Sequence, residues 1–199
     1  MKRLVSVVAT FAISAAGLAA FQQRTPPPPP AAAKPAAPQA ANPLTISTKM
    51  GYDEFKGYLV KAAEQMKDAD YGFKPAGVVP EVRTFGQIVG HLVDANLALC
   101  GAASGMHPPP SLKDVEHTVK TKPELVKALG EAFAFCDRAW AATTDANAAS
   151  SIELPFGLGK STRLGALAFN SSHDGEHYGN IVTYMRAKGL VPPSSQPAK

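Results

Sequence analysis

The 199-residue sequence predicts an all-α fold, a four-helix bundle, from three observations. Through the middle of the chain apolar residues recur at alternating spacings of three and four, the mark of amphipathic helices. Two capping-box signatures, Thr84 with Gln87 and Thr121 with Glu124, stand directly before two of those runs. The 18 prolines gather mostly between Pro26 and Pro43 and near the C-terminus, which leaves the middle free to be helical. With 45% hydrophobic residues, the chain is long enough for one compact domain and short for two.

The N-terminus opens Met1-Lys2-Arg3 and continues through an apolar stretch, Leu4 to Ala20, that ends in small residues. This is the layout of a secretory signal peptide. An uncleaved anchor is the competing reading, but alanine and glycine make the stretch only weakly hydrophobic. Residues 1–20 are therefore expected to be a signal peptide, and the mature protein to be periplasmic or secreted with no stable membrane span. Residues 21–43 carry Pro26 to Pro30 and an Ala/Pro mixture. Proline lacks an amide proton and favours polyproline geometry, so an extended spacer is expected ahead of a domain over residues 44–195.

The first helix lies between Lys49 and Lys67, with Phe55, Leu59, Ala62 and Met66 on its apolar face, and the segment Asp68 to Pro75 ends it. The second runs from about Thr84 to Ser104 on Phe85, Ile88, Leu92, Ala95, Leu99 and Ala102. His107-Pro108-Pro109-Pro110 excludes helix, and the third helix starts after Thr121, burying Leu125, Leu129, Phe133, Cys136 and Trp140. A glycine-bearing loop, Leu154 to Gly159, precedes a last helix from Ser161-Thr162 to Lys188, stopped by Gly189 and Pro192-Pro193. Charge adds little: 20 basic residues face 16 acidic ones, and 18 face 16 once Lys2 and Arg3 are removed. Such a balance gives no reason to expect a nucleic-acid partner.

His173 and His177 are four apart in the last helix, which puts both imidazoles on one face within reach of one metal ion. They share a stripe with Ala166, Asn170, Ile181 and Tyr184, while Ser172, Glu176, Thr183 and Arg186 fall on the far side. The pair therefore faces the bundle, where an unpaired imidazole would lose its hydrogen bonds. His91, beside Ile88, Leu92 and Ala95, also points inward, and antiparallel second and last helices would bring all three to one height. His107 and His117 are expected to be solvent-exposed in the crossover. The metalloprotease motif H-E-x-x-H is a poor match, because Asp174 stands where its Glu belongs and no Asp, Glu or His follows Tyr178 as a third ligand.

On Asp70-Tyr71-Gly72-Phe73-Lys74-Pro75, on Thr84 to Leu92, and on His173-Asp174-Gly175-Glu176-His177-Tyr178-Gly179-Asn180, the sequence resembles the DinB/YfiT-like superfamily of metal-binding four-helix bundles. The likeness extends over Lys49 to Pro193. It implies an up-down-down-up topology with a long crossover between helices two and three, and a metal site of His91, His173 and His177. Relatives include thiol-dependent S-transferases and isomerases of small electrophiles, whose thiol cofactors are cytoplasmic and scarce for an exported chain. The family usually shows Gly-Gln soon after the last His, where Gly179-Asn180 has the shorter amide.

Three neutral imidazoles leave coordination positions open for water or substrate, the arrangement of a catalytic site. Zinc or nickel is the first expectation for this divalent transition metal, with iron or cobalt open, because imidazole discriminates little among them. The expected function is an exported metal-dependent hydrolase or transferase acting on a small molecule; the alternative is a non-catalytic metal- or ligand-binding envelope protein. Asp174 is a candidate base held beside the metal ligands or an exposed carboxylate, and Asn170 and Tyr184 either orient a substrate or simply pack. Homodimerisation stays open. Cys100 lies opposite His91 on its helix and is not a ligand. If helices two and three run parallel, Cys100 and Cys136 reach one height, as a disulfide requires; two buried thiols acting as small apolar residues are the simpler expectation.

Overall fold

The computed structural model describes residues 41–197, so the signal-peptide reading and nearly all of the spacer reading lie outside the described residues. The helices are α1 (Pro43–Gln65), α2 (Phe85–Ser104), the single-turn α3 (Val115–Thr118), α4 (Lys122–Ala141) and α5 (Arg163–Ala187). A hairpin of β1 (Ser151–Glu153) and β2 (Lys160–Thr162) precedes α5. The four long helices make the expected bundle, and side-chain pairings fix their directions. Gly86 lies against Leu125 near the starts of α2 and α4, and Cys100 meets Cys136 toward their ends, so these two run parallel. His91 meets His173 while Asn96 meets Asn170, so α5 is antiparallel to α2. Tyr52 reaches Asp137 and Lys122 reaches the Glu64 carbonyl, which makes α1 antiparallel to α4. The topology is up-down-down-up, with the crossover between α2 and α4. No helix among the described residues is long and apolar enough to cross a membrane.

The core is continuous from Leu59 and Met66 of α1 through Leu92 of α2 to Leu129 of α4 and Leu167 of α5, all fully buried. Each such side chain contributes about 1.5–3 kcal/mol by leaving water. Tyr52 packs on Trp140 with ring centroids 5.5 Å apart.

Local differences from the sequence expectation have identifiable causes. Pro43, read as spacer, is the first residue of α1, because Asp145 accepts the amides of Leu44 and Thr45 at 3.0 and 2.9 Å and caps the helix from about 100 residues away. The capping box closes at Thr84, where Gln87 N–H donates to Thr84 Oγ1 and Thr84 N–H donates to Gln87 Oε1. At Thr121 it does not close: the hydroxyl donates to Glu124 Oε2 at 2.6 Å and caps no backbone amide. The glycine-bearing loop is the turn of a hairpin, with Phe156, Gly157 and Gly159 at positive φ.

The expectation of two buried thiols is corrected. Cys100 and Cys136 form a disulfide with their Cα atoms 5.2 Å apart, since parallel α2 and α4 bring them to one height and turn both into the shared core. Denatured, unreduced protein should therefore titrate no free thiol. Replacing both cysteines by Ala should lower stability by about 2–4 kcal/mol in a denaturant melt, through the unfolded-state freedom that a bond across 36 residues removes.

Candidate metal centre

His91 occupies the second turn of α2, and His173 and His177 sit one turn apart in the middle of α5. Their Nε2 atoms converge: His91 to His173 is 3.2 Å and His177 to His173 is 3.1 Å. Donors held at about 2.0–2.1 Å around a tetrahedral ion lie about 3.3 Å from one another, so the cluster has the spacing of a coordination shell and could hold a metal ion. A proton on His173 Nε2 can serve only one of the two neighbouring lone pairs. An ion serves all three.

Burial keeps these imidazoles neutral. It lowers the His91 pKa, assisted by the Arg83 charge and opposed by Glu116, and lowers that of His173 together with the His91 charge. His177, buried and flanked by the other two, is pushed down to about 4. Neutral imidazole is the form that ligates.

The crossover supplies the support for His91. Glu116 Oε2 lies 3.0 Å from His91 Nδ1, which places the proton on Nδ1 and leaves the Nε2 lone pair free. Burial alone would raise the Glu116 carboxyl, but the hydrogen bond and charge of Arg83, then those of His91, hold it below the usual carboxylate range. Asp94 of α2 accepts the amides of Val115 and Glu116 at 2.9 and 3.0 Å and so anchors α3. Gly90 makes the approach physically feasible: a Cβ there would sit 2.6 Å from Glu116 Cα. The outer nitrogens of the α5 pair are less well held. His173 Nδ1 is buried with no hydrogen-bond partner among the described residues, and His177 Nδ1 faces the Asn180 amide at 3.5 Å.

Three residues singled out from the sequence have other surroundings. Asp174, read with equal weight as an exposed carboxylate, is fully buried, accepting from Asn96 at 2.8 Å and from Asn170 at 3.3 Å. Asn170 is fully buried as well and spends its amide on Asn96 and Asp174. Burial outweighs the Asn96 hydrogen bond and raises the Asp174 carboxyl to about 8. Tyr184 donates to the Arg83 carbonyl at 2.6 Å and lines a recess of about 270 Å³ with His177 and Asn180. His107 and His117 are exposed, as expected, and His117 pairs with Asp114. A larger cleft of about 520 Å³ opens on the other side of the cluster, with His91, His173 and Glu116 in its wall and Phe156, Leu158 and Phe169 around it. Glu116, Arg83, Asp94 and Asn96 were not anticipated; Glu116 carried no signal beyond lying in the crossover, where local pattern gives no distances.

An all-α bundle with three histidines converging between two of its helices defines a class of protein, and the comparisons assign it. Residues 52–181 match the DinB superfamily, and the chain belongs to that family. No curated protein matches the sequence. A DinB-like protein from Bacillus cereus superposes with a TM-score of 0.61 at 17% identity, covering 74% of this chain and 95% of that one. A mutant of the mycothiol-dependent maleylpyruvate isomerase superposes with a TM-score of 0.51 at 15% identity, covering 76% and 78%. At these identities the likeness shows the fold.

Two outcomes follow from the buried groups. Gly90→Ala should lower the melting temperature, at a cost of about 1–3 kcal/mol, and speed proteolysis within the crossover. For Asp174 the folded chain keeps a proton that the unfolded chain releases between the ordinary value of 3.8 and about 8, so its contribution to stability declines as pH rises through that window. Asp174→Asn removes the titration. The melting temperature of the variant relative to the parent should thus rise from about pH 5 to about pH 8, as thermal melts at the two pH values will show.

Proposed function

We propose that this DinB-superfamily protein is a metal-dependent enzyme, a hydrolase or transferase, that binds one divalent transition ion through His91, His173 and His177 and acts on a small molecule in the adjoining cleft. The observation that carries this reading is the convergence of three Nε2 atoms, two of whose rings, His91 and His173, stand in the wall of a cleft of about 520 Å³. A three-imidazole set leaves coordination positions open, and its ion would supply Lewis acidity and lower the pKa of a water or thiol. Zinc or nickel suits the imidazole donors and is the first expectation, with iron or cobalt open. The chain's own residues do the rest: burial holds the imidazoles neutral, Glu116 orients His91, and the cleft admits a substrate to the same face. A fold shared with an enzyme, the maleylpyruvate isomerase, supports a catalytic role without carrying its substrate over.

The same proposal places the protein outside the cytoplasm after cleavage near Ala20. Lys2-Arg3 ahead of the apolar stretch supports it, and so does the Cys100–Cys136 bond, which belongs to oxidising compartments. Mass spectrometry of envelope protein should give an N-terminus near residue 21, and an intact Met1 in mature protein contradicts export.

Metal analysis should find one ion per chain. His173→Ala or His177→Ala should each remove most of the affinity, and Glu116→Ala should weaken it by about 10–100-fold. Stoichiometric metal in a folded variant lacking both α5 histidines contradicts the assignment. Small esters, amides and thiol-reactive electrophiles, offered to the loaded protein, then test for catalysis.

A further inference from the structure

Resting on that reading of the site, we infer that the cleft beside the histidines selects small molecules that carry an aromatic or branched apolar group and no negative charge. Phe156, Leu158 and Phe169 are 71%, 51% and 44% exposed, and all three line this one cleft. Their exposure is therefore convergent rather than scattered, which is the pattern of a ligand surface. Phe156 also sits in the left-handed region at φ 62, where a bulky residue is held only at a cost, and it does so at the tip of the hairpin that brings its ring to the cleft. The volume, about 520 Å³, lies within the ordinary range for small-molecule sites.

Charge supplies the second half of the selection. The cleft is lined by the carboxylates of Asp94, Asp114 and Glu116, and neither Lys nor Arg lines it. Asp94 is tied to the amides of α3, Asp114 to His117, and Glu116 to His91 and Arg83, so these carboxylates are structurally committed and stay in place. Arg83 approaches Glu116 from the other side and lines the separate recess at His177. Glu116 is offset by Arg83 and Asp114 by His117, but Asp94 is bonded only to neutral amides. An anion entering beside the apolar wall therefore meets an uncompensated carboxylate, whereas a neutral or cationic molecule does not.

The test uses 2-naphthylmethanol, 2-naphthylmethylamine and naphthalene-2-sulfonate, which share one ring system and differ in charge. Sulfonate coordinates transition ions feebly, so it reports on the cleft and not on an ion. Fluorescence titrations of the full chain, chelator-treated so that no divalent charge offsets the carboxylates, should show the alcohol and the amine binding at least about tenfold more tightly than the sulfonate. Phe156→Ser and Leu158→Ser, both at exposed positions, should weaken the alcohol by about fivefold or more while the melting temperature holds. Sulfonate binding as tightly as the alcohol, or an alcohol affinity unmoved by either substitution, overturns the inference. The two readings fail separately. Selective binding by a protein that takes up no metal when offered it overturns the metal assignment alone, and a metal-binding protein whose chelator-treated form shows no selectivity overturns this inference alone.

Discussion

Three imidazole nitrogens gathered between α2 and α5, with His173 Nε2 lying 3.2 Å from that of His91 and 3.1 Å from that of His177, are the constraint on which the rest of the structure turns. The contact exists only because the two helices are antiparallel with His91 level with His173 and His177. Burial lowers all three pKa values and so removes the charge repulsion that protonated rings would bring. Lone pairs facing lone pairs remain, and a cation is the natural occupant of such a space.

The crossover between the parallel helices α2 and α4 does two jobs with the same residues. Asp94 caps the single-turn α3, Gly90 leaves room for it, and Glu116 thereby arrives at His91 Nδ1 with Arg83 behind it. The outer faces of these elements then form the acidic side of the cleft, opposite the apolar side built from the hairpin turn and Phe169. Ligand orientation and cleft shape are thus coupled through one short segment. The Cys100–Cys136 bond ties α2 to α4 near the end at which the crossover departs, so the segment spans two helices fixed to each other.

Periodicity made the bundle legible because each long helix carries its own apolar stripe, and the i, i+4 histidines were legible because helical geometry alone puts them on one face. His91 could be matched to them by height along its helix. What stayed hidden depends on distances between segments far apart in sequence. Asp145 caps α1 from the far end of α4, and nothing near Pro43 announces it. Thr121 and Glu124 have the capping-box spacing, yet the two side chains bond each other and leave the backbone uncapped. Asp174 is adjacent to a histidine that faces the cleft, but one residue is 100° of helix, enough to turn its carboxylate into the core against Asn96. Cys100 and Cys136 could be placed at one height, whereas the facing of their side chains needed the helix rotations.

X-ray absorption at the edge of the metal bound by the purified protein tests the central claim most directly, because it reports the donors and not merely the presence of an ion. A first shell containing three imidazole nitrogens at about 2.0–2.1 Å, with the outer-ring scattering of histidine, is the predicted result. A shell of carboxylate and water oxygens without imidazole scattering would contradict it.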